Sequence, residues 1–307
     1  MGGNDNNKAA AFKSKTHELP VHKHIAAGAM AGLCEVLCMY PLDVVKTRLQ
    51  LQSAADARYT SVLGTFKDII KTEGAANFYR GIISPILAEA PKRAMKFSAN
   101  EQYKKLWLHV QGPSIGGGEG KPSQFGFVAC GAAAGMTEAT VNCPFELVKV
   151  RMQARQNLGV YKTTMDAFTK IMKAEGVLTL YKGFGSMLWR NGVWNGAYFG
   201  TINFVKQKLP EPQSQGGVIA GNFTAGVISG LLATTINTPF DVVKSRIQNV
   251  LPGQPAPYGF TIPALVTIAR EEGVKALWKG YVPKVMRLAP GGGIMLVAFD
   301  FFAHLMS

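Results

Sequence analysis

Cysteine is scarce in this chain, acids are fewer than bases, and no long hydrophobic run is free of polar residues. The four cysteines, Cys34, Cys38, Cys130 and Cys143, lie inside apolar segments without CxxC spacing. That excludes a zinc ribbon and leaves them as small residues on apolar faces. The five histidines are scattered, and no metal-ligand cluster, paired catalytic group or Walker motif appears. No enzyme, cofactor or metal is therefore expected. Charged residues are 17% of the chain, with 19 acids against 33 bases, for a net +14. Such charge suits nucleic acid, but no nucleic-acid motif or base-reading basic helix accompanies it. An anionic membrane surface or small anionic substrates explain it as well. Residues 1–22 are polar, with neither the apolar core of a signal peptide nor the arginines of an organellar presequence.

What the chain does have is a threefold internal repeat. Pro41, Asp43, Lys46, Arg48 and Gln50 recur as Pro144, Glu146, Lys149, Arg151 and Gln153, and again as Pro239, Asp241, Lys244, Arg246 and Gln248. Downstream of each follows an acid–glycine pair and then an aromatic–cation–glycine element ending at Gly81, Gly183 and Gly280. Tyr59, Tyr161 and Tyr258 hold matching places, and the glycine pairs Gly28/Gly32, Gly131/Gly135 and Gly226/Gly230 precede the three prolines. Several features kept in register three times define repeat architecture. The expected division is a polar segment 1–22 and repeats 23–110, 125–209 and 218–305, with linkers at 111–124 and 210–217.

Each repeat reads as a long helix, a short amphipathic helix and a second long helix. The first helices are expected near 23–50, 125–153 and 220–248, and the second near 81–108, 183–208 and 280–305. All are long enough to cross a bilayer, which takes about 20 residues. Their polar residues fit helices that turn one face to lipid and another to a polar interior. The glycine pairs allow close helix approach. The segments 59–74, 161–176 and 258–273 suit helices lying on the membrane surface, with stripes such as Phe66, Ile69, Ile70 and Phe168, Ile171, Met172. The fold class expected is an all-α membrane protein of six transmembrane helices in three pseudo-threefold repeats.

These motifs resemble the signature of the mitochondrial carrier family, and the resemblance runs from about 23 to 305. It implies a monomeric bundle in the inner mitochondrial membrane, both termini on the cytosolic side, working by alternating access. It implies a matrix gate of Asp43–Lys149, Glu146–Lys244 and Asp241–Lys46, braced by Gln50, Gln153 and Gln248. The family's cytosolic gate is less complete, because Asn203 and Ala303 depart from its pattern; Glu101–Lys206 and Asp300–Lys104 remain. Cardiolipin phosphates are implied at Gly81, Gly183 and Gly280, where helix N-termini favour anions.

The family's central contact points fall on Ala88, Arg190 and Arg287, followed by Glu89, Asn191 and Leu288. Two intramembrane arginines suggest a substrate with two carboxylates. Lys92 and Lys96 continue the Ala88 face, Arg93 lies about 100° aside, and the matching places elsewhere hold Trp194 and Tyr198, then Gly291 and Met295. Glu35 and Glu138 are expected either to carry a proton or to pair with cavity cations. The stretches around Pro91 and Pro290 are most similar to the 2-oxodicarboxylate carriers of the family, which implies antiport of 2-oxoadipate and 2-oxoglutarate. Citrate and oxoglutarate carriers share the paired arginines, and an uncoupling-type proton carrier is the alternative of another class.

Overall fold

The structure, a computed structural model, describes residues 20–52, 58–59, 61–111, 124–209, 215–251 and 258–306. Most of the polar start and of both linkers therefore lies outside the described residues. The elements in order are α1 (Val21–Leu51), α2 (Val62–Glu73), α3 (Ile83–Gln111), α4 (Gln124–Gln153), α5 (Thr164–Glu175), α6 (Phe184–Lys208), α7 (Gln215–Asn249), α8 (Thr261–Glu271) and α9 (Tyr281–Met306). Short 3₁₀ turns precede α3, α6 and α9, and a fourth follows α4. Among the described residues there is no strand.

The six long helices have 31, 29, 30, 25, 35 and 26 residues. Among the described residues, only Ala26–Leu51 and Val274–Met306 have windows apolar enough to pass as spans by mean hydropathy, at 1.4 and 1.5. The others fail because they divide their surface: Leu106, Met136, Trp189, Phe204 and Phe223 are exposed, whereas ionic residues turn inward. Pro41, Pro144 and Pro239 lie inside α1, α4 and α7, and each removes one helical hydrogen bond at the same depth.

Three matching apolar clusters anchor the small helices. Val44, Val45, Ile69 and Phe78 in the first repeat become Leu147, Val148, Ile171 and Leu180, then Val242, Val243, Ile268 and Leu277. The stripe expected on α2 and α5 divides here: Ile69 and Ile171 are buried, but Ile70 is 53% exposed and Met172 36%. α2 and α5 begin on capped termini, Ser61 Oγ accepting from Gly64 N at 3.0 Å and Thr163 Oγ1 from Asp166 N at 3.1 Å.

The repeats lock to one another in a ring. α3 packs along α4, α6 along α7, and α9 along α1. Below these pairs, Arg80 donates to the carbonyls of Asn157 and Tyr161 (3.1 and 3.0 Å), Lys182 to Val250 (3.1 Å) and Lys279 to Gln52 (3.0 Å). The cation of each aromatic–cation–glycine element thus grips the next repeat. The signature arginines, to which sequence assigned no role, hold their own repeat's small helix: Arg48 to Glu73 at 2.8 and 2.7 Å, Arg151 to Glu175, and Arg246 to Glu272. Burial opposes ionisation of Glu272, yet hydrogen bonds and charge from Arg246 and Lys279 hold its carboxyl below the usual range. Arg151 also reaches the carbonyls of Gln248 and Val250, and Arg246 those of Gln50 and Gln52.

Gly280 has φ +80° and abuts α1: a β-carbon would stand 2.9 Å from Gln50 Cγ and 3.0 Å from the Lys46 carbonyl oxygen. Both the left-handed conformation and the space demand glycine. Gly280→Ala is expected to lower stability by about 1–3 kcal/mol. Gly200→Ala, where space is open, should leave the thermal midpoint of the detergent-solubilised protein unchanged or higher. Equal midpoints for the Gly280 variant and wild type would refute the close-packing account.

Candidate functional site

Three cavity lobes of about 280, 350 and 260 Å³ share lining residues and meet at the bundle centre. The first contains Arg190, Lys96 and Trp194; the second Arg190, Arg287, Lys92 and Arg93; the third Arg287, Trp194 and Leu288. The acids Glu35, Asp43, Glu89, Glu138, Glu146 and Asp241 face the lobes. Against these six stand eight lining cations: Lys46, Lys92, Arg93, Lys96, Lys149, Arg190, Lys284 and Arg287. Lys244 adds a ninth by pairing with Glu146. With every group ionised, the formal net charge is +3.

At the end bearing α2, α5 and α8 the cavity is shut by ion pairs between repeats. Lys149 Nζ donates to Asp43 Oδ2 at 2.8 Å, Lys244 is in contact with Glu146, and Lys46 stands 3.6 Å from Asp241. The proline-bearing first helices bring each acid to the next repeat's lysine, except that Asp241 closes the ring to Lys46. Gln50, Gln153 and Gln248 are fully buried beneath. Gln153 Oε1 accepts from Thr47 at 2.6 Å and Gln50 Oε1 from Ser245 at 3.0 Å, so these two join repeats through hydroxyl groups. Gln248 packs under Gly183.

Both arginines are engaged with the acids of this network. Arg287 donates to Asp43 Oδ1 at 2.5 Å and to Glu35 Oε1 at 3.0 Å. Arg190 lies 3.6 Å from Glu146 and 3.9 Å from Asp241. Asn191 Oδ1 accepts from Arg190 Nε and Nη2 at 3.2 and 2.8 Å, while its amide donates to the Gly135 carbonyl. Asn191 therefore orients the guanidinium. Lys284, which sequence reasoning passed over, contacts Asp241 from α9. Its signal was available: the third repeat has lysine four residues after Gly280, where the others have Pro85 and Met187.

On α3 the expectations need adjustment. Ala88 is 2% exposed and too covered to face the cavity. Glu89 binds Lys92 at 2.5 Å and Arg93 at 2.6 Å, so Arg93 lines the site although the helical wheel set it aside. The i, i+4 bond to Glu89 draws it round. Lys96 lies 3.4 Å from Glu138. Glu35 and Glu138 are thus both paired with cavity cations.

At the opposite end Lys23 of α1 donates to the Met306 carbonyl of α9 at 2.6 Å. Glu101 pairs along its own helix with Lys104 at 3.2 Å. Among the described residues no ion pair joins Glu101 to Lys206 or Asp300 to Lys104, so neither expected interhelical pair is formed here. The physical reason is local: Glu101 and Lys104 lie three residues apart on α3 and satisfy each other. Gly81, Gly183 and Gly280 each have φ +80° just before α3, α6 and α9.

The profile described as "Mitochondrial carrier protein" matches residues 17–111, 121–213 and 217–307. A Schizosaccharomyces pombe protein named "Probable mitochondrial 2-oxodicarboxylate carrier" is 49% identical over 289 residues, covering 92% of this chain and 93% of that one. The Aspergillus niger "Mitochondrial citrate transporter D" is 46% identical over 94% of this chain and 96% of its own. The Mus musculus "Mitochondrial 2-oxodicarboxylate carrier" is 43% identical over 95% and 97%.

Proposed function

The chain belongs to the mitochondrial carrier family, and from that premise we propose that it exchanges 2-oxodicarboxylates, 2-oxoglutarate and 2-oxoadipate among them, by antiport. It is a multi-pass protein of the mitochondrial inner membrane. The observation that carries the reading is that Arg190 of α6 and Arg287 of α9, the two guanidinium groups bound to the gate acids, line one lobe of a cavity that is net-positive as a whole. A dicarboxylate supplies each with the bidentate partner that guanidinium favours.

Binding is then a replacement. The substrate carboxylates take Arg287 from Asp43 and Glu35, and Arg190 from Glu146 and Asp241. Each acid of the matrix gate keeps its lysine, Lys149, Lys244 or Lys46, but loses a second cation. The gate weakens only when a doubly charged anion is aboard, and alternating access follows. Once the matrix side opens, Glu101–Lys206 and Asp300–Lys104 close the cytosolic side. Lys92 and Lys96 attract the anion on entry, and Asn191 and Glu89 position the cations. The carrier acts as a monomer. Cardiolipin phosphates bind at the helix starts after Gly81, Gly183 and Gly280, where amide groups and the helix dipole favour anions.

The test is reconstitution. Liposomes containing the purified protein and preloaded with 2-oxoglutarate should take up labelled 2-oxoglutarate, and external 2-oxoadipate should compete. Uptake into liposomes lacking a counter-substrate would sink the antiport reading. Competition by citrate but by neither oxo acid would transfer the assignment to a tricarboxylate, the cargo in the printed name of the Aspergillus niger relative.

A further inference from the structure

Trp194 is the aromatic side chain that lines both the lobe of Arg190 and the lobe of Arg287. It shares that position only with Lys46 and Lys284. On α6 it lies four residues after Arg190, on the same helical face. Its ring stacks on Tyr198 with centroids 5.0 Å apart and planes 6° apart, and Tyr198 meets Phe199 edge-on at 5.4 Å. The Tyr198 hydroxyl in turn abuts Gly226 of α7, 3.7 Å from where a β-carbon would stand. The indole is therefore a half-buried, pre-oriented apolar plate amid charged groups. The corresponding places in the other repeats hold Lys92 and Gly291, so one wall alone carries it. Leu288 and Gly291 line the third lobe with it, and a β-carbon at Gly291 would stand 3.4 Å from Glu35 Oε1.

We propose that Trp194 is the specificity-determining residue that reads the carbon chain of the substrate: the terminal carboxylates go to Arg190 and Arg287, and the methylenes between them lie on the indole face. This rests on the dicarboxylate reading above. The arginines recognise two charges at a set spacing, whereas a fixed apolar surface gains with each methylene covered. One buried methylene is worth about fourfold in affinity, or ~0.8 kcal/mol.

The experiment measures inhibition constants of 2-oxoglutarate, 2-oxoadipate and 2-oxopimelate against labelled 2-oxoglutarate exchange in liposomes. In wild type, 2-oxoadipate should compete about fourfold better than 2-oxoglutarate. Trp194→Ala should bring that ratio close to one. Trp194→Phe, which preserves an aromatic stack should the alanine variant not fold, should roughly halve it. Lys92→Ala, at the equivalent place in the first repeat, should weaken all three acids by a common factor. A ratio unchanged in a folded Trp194 variant overturns the proposal, even if the rate falls. A wild-type protein that exchanges none of the three overturns the substrate reading itself and this one with it.

Discussion

Arg287→Ala is expected to reduce 2-oxoglutarate exchange at least a hundredfold while the protein remains folded in the membrane. Two effects act together. The substrate loses a charge-assisted partner, and Asp43 and Glu35 lose the guanidinium that now holds them at 2.5 and 3.0 Å. Glu35 is then left without its cation and Asp43 with Lys149 alone, and both face an incoming dianion. Truncating one partner of a desolvated charge pair costs about 2–5 kcal/mol, and 2.8 kcal/mol is already a hundredfold. Arg287→Lys keeps the charge but cannot engage two oxygens side by side, and should fall between alanine and wild type. Initial exchange rates in liposomes, normalised to folded protein by thermal unfolding, check both. Near-normal exchange in the alanine variant would mean that the substrate sits elsewhere.

Arg151→Ala should act on the fold instead. Arg151 is fully buried, binds Glu175 through both terminal nitrogens, and donates to the Gln248 and Val250 carbonyls at 3.0 and 3.1 Å. Its loss strands Glu175 and the Gln248 carbonyl at the junction of the second and third repeats, and leaves the Val250 carbonyl to Lys182 alone. Breaking such a buried pair costs about 3–5 kcal/mol. At this chain length that is a fall of about 5–8 °C in the unfolding midpoint. Arg151→Met combined with Glu175→Met should recover part of the loss, since no charge is then left unpaired. Arg48→Ala should cost less, because Arg48 holds Glu73 but its Nε has no partner. A midpoint within 2 °C of wild type for the Arg151 variant would contradict the argument.

The repeat made the six long helices, the small helices and the three inter-repeat ion pairs legible, because each inference was constrained three times over. What sequence could not settle was competition. Asp241 has Lys46, Lys284 and Arg190 as rivals, and spacing along one helix does not say which cation wins across the bundle. The helical wheel likewise placed Arg93 off the cavity, although its flexible side chain reaches Glu89. The role of Arg48, Arg151 and Arg246 was hidden for a different reason. They stood inside a motif already explained by its acids and lysines, while their partners Glu73, Glu175 and Glu272 lay in another element. The expected pairs of Glu101 and Asp300 are not formed here, because spacing alone did not show that Glu101 is taken by Lys104 on its own helix.

The surplus of nine cations over six acids has an electrical meaning. When access switches, the cavity passes from one compartment's potential to the other's. Under a potential negative on the matrix side, returning the empty +3 cavity to the cytosolic-facing state costs about 7 kcal/mol per 100 mV, from ~2.3 kcal/mol for each charge. With a dianion aboard the cavity is +1, and the cost drops to about 2 kcal/mol. Exchange of one dianion for another moves no net charge, so an imposed potassium diffusion potential should leave its final extent unchanged; a shifted extent would show that charge moves with the cycle. On the alternating-access reading proposed above, the fixed charge of the cavity would act as a voltage lock, holding an unloaded carrier on the matrix side until a return cargo arrives.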